Sequence, residues 1–291
     1  MANLALAKQY LAEQRYADAM VHFEAVLSVS ASNRGAREGE LTAATALALQ
    51  ARAAGHAEEA LGVLEHARTA LPDDALLLTR IGIQAQQMHR AKAATEALAG
   101  ALALQPDLPD ALYAAARIET DQDRLPAAEA HLRRYLEQRP RDASAHFGLG
   151  HVLERQQRAE AATAEFQRSI ELQPAQTESY FQLGQMALDL HQDASATRYF
   201  DKVLARDPKH GGAQSGAGII AYRIRDYVSA RKYLAAAVEA APEYQPAHYY
   251  LGLTLGRLGE KTLSEEQLQV AIALARKQQR RAEPIASADV P

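Results

Sequence analysis

Apolar residues recur along this chain at the spacing of one helix face, and the faces come in pairs. In residues 143–174, His146, Leu149, Gly150 and Leu153 stand at i, i+3, i+4 and i+7, which puts them on one helical stripe. A polar break follows at Gln156 and Gln157. A second stripe aligns Ala162, Phe166 and Ile170, and Pro174 stops it, because a proline ring clashes with the preceding helical turn. The pattern predicts two amphipathic helices. Gly150 and Ala162 are small enough to let the two backbones approach, and Phe166 is the knob that fills the space beside them.

The same pair recurs with a fixed period. Pro72, Pro106, Pro140, Pro174, Pro208 and Pro242 are spaced by 34 residues each time. Three further ladders run in phase. One is small (Ala60, Ala94, Ala128, Ala162, Ala196, Ala230, then Ser264). One is large (Leu64, Leu98, Leu132, Phe166, Phe200, Leu234, Leu268). The third is small again (Ala48, Gly82, Ala116, Gly150, Gly184, Gly218, Gly252). Valine, isoleucine and threonine are sparse and no clean period-2 stretch appears, so strand content should be near zero. A helix pair cannot bury its apolar face alone, so stacked repeats must share one core.

These residues resemble the tetratricopeptide repeat family. That family has a bulky residue at positions 7 and 24, small residues at 8 and 20, and proline at 32. Leu149, Gly150, Ala162, Phe166 and Pro174 fit those slots. The resemblance covers nearly the whole chain and implies an all-α, right-handed α-α superhelix of antiparallel helix pairs. Eight repeats are expected, at about 1–33, 34–74, 75–108, 109–142, 143–176, 177–210, 211–244 and 245–278. Together they make one solenoid over 1–281, followed by a disordered tail at 282–291. Seven extra residues, Arg34 to Glu40, precede the second frame. Seven residues are close to two turns, so one lengthened first helix keeps its face in phase. There are departures. Ala31 and Arg276 stand in proline slots, Tyr135 takes a usually small slot, and Gly211 with Gly212 open a helix poorly and suggest a hinge.

Composition narrows the function. Of 291 residues, 48% are hydrophobic and 23% charged, which excludes a disordered chain. The net charge of −4 disfavours a general nucleic-acid binder, so an RNA-binding helical repeat ranks low. No apolar run suggests a membrane-spanning helix. The first residues carry charge and lack an apolar stretch, so they do not read as a signal peptide. With 0 cysteines the chain suits either redox environment. A cytoplasmic location is the expectation, with an exported protein the alternative if the N-terminus was trimmed. The alanine- and glutamine-rich style points to a bacterial source.

In such repeats the first helices line the concave side, and positions 5, 9, 12 and 13 form the stripe facing it. Those positions hold Tyr113, Arg117, Phe147, His151, Arg155, Phe181, Gln185, Tyr222, Arg223, Tyr249 and Arg257, with Glu154 beside them. Earlier repeats supply Thr45, Leu49, Arg52, Thr79, Ile83 and Gln86. Aromatic and arginine side chains dominate binding hot spots, so this stripe is the candidate partner-binding groove. His146 and His248 read as packing residues, and His89 and His191 fall at turns. No histidine pair has metal-ligand spacing, and cofactors and metals are not expected. GGAQSGAG at 211–218 lacks the lysine of a phosphate loop, and ETDQD at 119–123 lacks the distal glutamate of a calcium loop. No nucleophile, base and acid group together, so an enzyme is not expected. The lysine, asparagine and arginine clamp by which some relatives hold chaperone tails is not matched. The expected function is a non-catalytic scaffold binding a peptide or partner segment in the groove. The alternative is an assembly subunit that self-associates through poorly capped ends.

Overall fold

The computed structural model describes residues 2–282. Among the described residues there are sixteen helices and no strand. The chain divides into two compact units, one up to Arg158 and one from Ala159. The first holds α1 (Ala2–Ala12), α2 (Tyr16–Leu27), α3 (Arg34–Ala53), α4 (Ala57–Ala70), α5 (Ala75–Gln87), α6 (Ala91–Leu104), α7 (Pro109–Asp121), α8 (Leu125–Gln138) and α9 (Ala143–Arg155). The second holds α10 (Ala159–Leu172), α11 (Thr177–Asp189), α12 (Asp193–Leu204), α13 (Gly211–Arg223), α14 (Tyr227–Ala240), α15 (Gln245–Arg257) and α16 (Lys261–Ala282). The tail expected at 282–291 lies outside the described residues, except for Ala282 at the end of α16.

The ladders occupy the core. Ala60, Ala94 and Ala128 of the first unit, and Ala162, Ala196 and Ala230 of the second, are 0% exposed. Leu64, Leu98, Leu132, Phe166, Phe200 and Leu234 are buried beside them. The small slot is obligatory where the knob is large. A Cβ added at Gly82 would lie 2.6 Å from Leu98 Cγ, and one at Gly39 would lie 2.2 Å from the Phe23 ring. First helices also touch first helices in turn, α5 on α7 and α7 on α9 in one unit, α11 on α13 and α13 on α15 in the other.

Each first helix ends the same way. Gln14, Gly55, His89, Asp123, Gln157, His191, Arg225 and Gly259 all have positive φ, between 57° and 84°. The next backbone N–H reaches back five residues, as in Arg90 N to Ala85 O at 2.9 Å and Gln192 N to Ala187 O at 2.8 Å. This is the Schellman closure of a helix C-terminus, for which glycine is the favoured residue. Six of the eight positions are not glycine, so the repeat holds them left-handed against their own preference. His89 and His191 are therefore turn residues, as their spacing suggests.

Helix starts are capped individually. Asn33 Oδ1 accepts from Ala36 N at 3.0 Å and Asp74 Oδ1 from Leu77 N at 3.0 Å. His210 Nδ1 does the same for Ala213 N at 3.1 Å. The glycines that follow His210 are closely packed. A Cβ on Gly211 would lie 2.8 Å from Ala241 Cβ, and one on Gly212 would lie 2.6 Å from the Phe181 ring. Their smallness admits neighbours to the start of α13. Tyr135, in its usually small slot, is buried. Its hydroxyl donates to Asp142, whose other oxygen caps α9 through Ser144 N and Ala145 N. Burial, and then Asp142, push the Tyr135 phenol up to about 12.

One buried group stands against the pattern. Glu40, in α3, is 0% exposed, and neither carboxylate oxygen has a hydrogen-bond partner among the described residues. Burial, with the nearby Glu24 carboxylate second, raises its pKa to about 8. The folded chain thus holds this proton more tightly than the unfolded chain does. Stability from the protonated form is full below the unfolded value of 4.5 and is lost as pH rises through about 8. Glu40→Gln should abolish most of that slope. Between pH 5 and 8 the wild-type unfolding free energy should fall relative to the variant by several kcal/mol, on the order of 4. Urea titrations with parallel pH slopes would contradict it. A second expectation concerns the turns. His89→Gly and His191→Gly should each stabilise by about 0.5 kcal/mol, read as a higher melting temperature, because glycine adopts the required φ without strain.

Candidate partner-binding groove

The predicted stripe comes together in the first unit. Tyr113 and Arg117 of α7 and Phe147 and His151 of α9 line one cleft of about 300 Å³. Thr120, Asp121, Leu132, Ser144 and Gly148 complete its walls. The Tyr113 ring lies against Tyr135, centroids 5.2 Å apart. Burial, then the Asp142 carboxylate, raise the Tyr113 phenol above its usual range, with Arg117 opposing. His151 is pushed below its ordinary value by burial and then by Arg155, against Asp121. The cleft wall therefore carries a neutral imidazole at neutral pH. Arg117 is exposed and makes no hydrogen bond or ion pair with any described residue.

Arg155 does something different. Its guanidinium donates to Thr120 O at 2.7 Å and to Asp123 Oδ1 at 3.0 Å, across one repeat boundary. Arg223 repeats the arrangement in the second unit, with Leu188 O at 3.1 Å and Asp193 Oδ1 at 2.6 Å. Both carbonyls lie 35 residues upstream, at the end of the preceding first helix. These arginines close helix C-termini, and their forks are largely committed to that contact.

A smaller cleft of about 80 Å³ lies between α3 and α5, lined by Thr45, Ala48, Leu49, Arg52, Leu64, Arg80, Ile83 and Gln84. Thr45 Oγ1 is buried there without a partner. Thr79 is not part of it. Its side chain is buried and donates to Ala75 O at 2.7 Å. Arg80, one position beyond the predicted stripe, was not signalled by the stripe's spacing.

In the second unit the stripe is filled from within. Phe181 packs on His210 at 4.7 Å and Phe200 at 6.3 Å, over Gly212. Gln185 Nε2 donates to the Tyr244 hydroxyl at 3.3 Å, and Gln185 Oε1 is buried without a partner. Tyr244 precedes α15, so its ring reaches back past α13 to α11, and burial raises its phenol. Tyr222 is ringed by Tyr227 and Tyr250, each at 5.7 Å, and its hydroxyl raises the pKa of the Arg257 guanidinium. Tyr249 stands edge-on to Tyr250 at 5.4 Å and is 42% exposed. Tyr244 and Tyr250 were missed by the stripe argument, which reads only one face of one helix.

His146 and His248 hold the loop before their own helix. His146 Nε2 lies 3.2 Å from Pro140 O and His248 Nε2 2.9 Å from Pro242 O; Gln214 Nε2 donates to Pro208 O at 2.7 Å in the same slot. Among the described residues no group of three metal-ligating side chains comes together. No helix among them is long and apolar enough to cross a membrane.

A tetratricopeptide repeat family model matches residues 113–177, 181–245 and 221–279, more than half of the chain. The chain belongs to the tetratricopeptide repeat family. Solved structures share the fold at low identity. YrrB, described as a TPR protein with an unusual peptide-binding site, is 22% identical with a TM-score of 0.53, over 63% of this chain and 95% of that one. Pseudomonas aeruginosa pilF is 20% identical with a TM-score of 0.62, over 80% and 98%. PilW, a type IV pilus biogenesis factor, is 20% identical with a TM-score of 0.63, over 74% and 98%. No curated protein matches the chain. A tetratricopeptide repeat fold of this kind suggests a protein-interaction or scaffold role.

The two kinds of groove arginine should separate in stability measurements. Arg155→Ala leaves a helix-end carbonyl without its donor and should cost about 1 kcal/mol, discounted for solvent exposure. Arg117→Ala should change the unfolding free energy by less than about 0.5 kcal/mol. Equal losses in urea denaturation would mean that Arg117 is also structural.

Proposed function

We propose that this protein is a non-catalytic scaffold that binds a segment of a partner protein in the first-helix groove of the unit ending at Arg158. One observation carries the reading. Arg117 has an uncommitted guanidinium in a cleft walled by Tyr113, Phe147 and the neutral His151. An apolar side chain can rest on the two rings while a carboxylate or carbonyl takes the arginine fork. Arg80 offers a further guanidinium beside Leu49 and Ile83 in the cleft between α3 and α5, where Arg52 donates to Gln87 Oε1 at 3.3 Å. The fit is to an extended segment or short helix with alternating apolar and acidic groups. In the second unit Tyr249 is the stripe residue whose ring is most available to a partner, because Phe181, Gln185, Tyr222 and Arg223 are engaged internally. The acidic balance of the chain argues against RNA as the ligand.

The test is capture from the native host by the full chain. Phe147→Ala with Arg117→Ala should weaken capture of the specific partner at least about tenfold with helicity unchanged. Gln167→Ala with Arg168→Ala, on exposed positions of α10, is the control. Loss of the partner by the control pair alone would place binding elsewhere.

A second reading is self-association. Ile272 of the last helix is 44% exposed, in the slot where Val238 and Leu204 of the preceding repeats are half-buried and where another repeat would continue the stack. Light scattering should then give a mass above one chain that falls to one chain in Ile272→Glu. A monomeric wild type removes this reading.

A further inference from the structure

Seven repeats put the same first-helix slot into the core. Six fill it with Ala51, Ala85, Leu153, Ala187, Ala221 and Leu255, all buried. The seventh is Glu119, which is only 7% exposed. A carboxylate in that slot is costly unless its partners are good, and an apolar residue of similar size would often serve the fold as well or better. Its partners are incomplete. Oε2 lies 2.7 Å from His131 Nδ1, but Oε1 has only Arg124, at 3.5 Å. His131 Nε2 has no partner among the described residues.

Glu119, His131 and Arg124 border a cleft of about 240 Å³ formed by α6, α7 and α8. Leu98, Ala99 and Leu102 from α6, with Ala115 and Ile118 from α7, make the rest of the wall mostly apolar. An apolar cavity of about 150 Å³ already accepts benzene. This one has room for two fused rings. It is separate from the groove cleft, which is walled by Tyr113, Arg117, Phe147 and His151.

We propose that this cleft is a binding site for a flat aromatic molecule of one or two rings bearing a single N–H or O–H donor, with Glu119 as the acceptor. The apolar walls take the ring faces, and the donor goes to Glu119 Oε1. A ring without a donor takes water from Glu119 Oε1 and leaves it with Arg124 alone, which the same desolvation argument disfavours. Glu119 then occupies a core slot for recognition, at a cost in stability that its neighbours in the other repeats do not carry.

Indole is the direct probe. The chain has 0 tryptophans, so indole emission can be followed without a protein background when excited beyond tyrosine absorption. Titration of the full chain should saturate at one site. Benzothiophene, the same shape without the N–H, should compete at least about tenfold more weakly. Glu119→Leu should abolish indole binding while the melting temperature holds or rises, since leucine serves the slot at Leu153 and Leu255. Ala99→Phe, which fills the cleft without touching the ion pair, should also abolish it and covers the case in which Glu119→Leu fails to fold. N-acetyltryptophanamide displacing indole at equal concentration identifies the source as a partner's tryptophan side chain; its failure identifies a free small molecule. Unsaturable binding, equal competition by benzothiophene, or unchanged binding in a folded variant overturns the proposal.

Discussion

The close approach of two helix backbones, small residue against large knob, is the constraint on which the rest depends. Gly82 admits Leu98 and Gly39 admits the Phe23 ring at distances no side chain could tolerate. The alanine ladder at 0% exposure does the same from the second helix. Interiors pack too densely for this to be adjustable, so each pair meets its neighbour in one register. In the first unit that register brings the fifth and ninth positions of α7 and α9 to one face. Tyr113, Arg117, Phe147 and His151 meet because of packing on the other side of their helices.

Turns and helix ends then decide which of those side chains remain available. Each first helix stops in a left-handed residue whose carbonyl neighbours need donors. At Thr120 and Leu188 the donor is an arginine from the next repeat, Arg155 or Arg223. The same side chain that looks like a ligand anchor is thus used as a helix cap. Arg117, four positions earlier in its helix than the capping slot, escapes this use. The contrast explains why one cleft in the first unit is open chemically while the equivalent stripe in the second is occupied by Tyr244 and the rings around Tyr222.

Polar groups inside the repeat core show how tolerant the architecture is. Tyr135 finds Asp142, which in turn caps α9, so its polar end is satisfied. Glu40 finds no hydrogen-bond partner among the described residues and answers by holding its proton. Glu119 lies between these cases, half satisfied beside a cleft. In a stack each repeat contacts mainly its neighbours, so one costly residue is paid for locally while the rest of the array is unaffected.

Period, helix pairing and the identity of the core were legible in the amino-acid order. They rest on contacts between residues at most one helix pair apart, and four in-phase ladders record those contacts directly. The candidate stripe was legible as a face, because helical geometry alone places position 5 beside position 9. Its chemistry was not. Whether Arg117 or Arg155 is free depends on a carbonyl 35 residues away, and the burial of Gln185 depends on Tyr244 crossing a glycine-rich helix start. Glu40 and Glu119 look like ordinary solvated charges in a sequence rich in them. Only the stacking of neighbouring helices removes water from them, and desolvation is a property of the packed volume that no local pattern encodes.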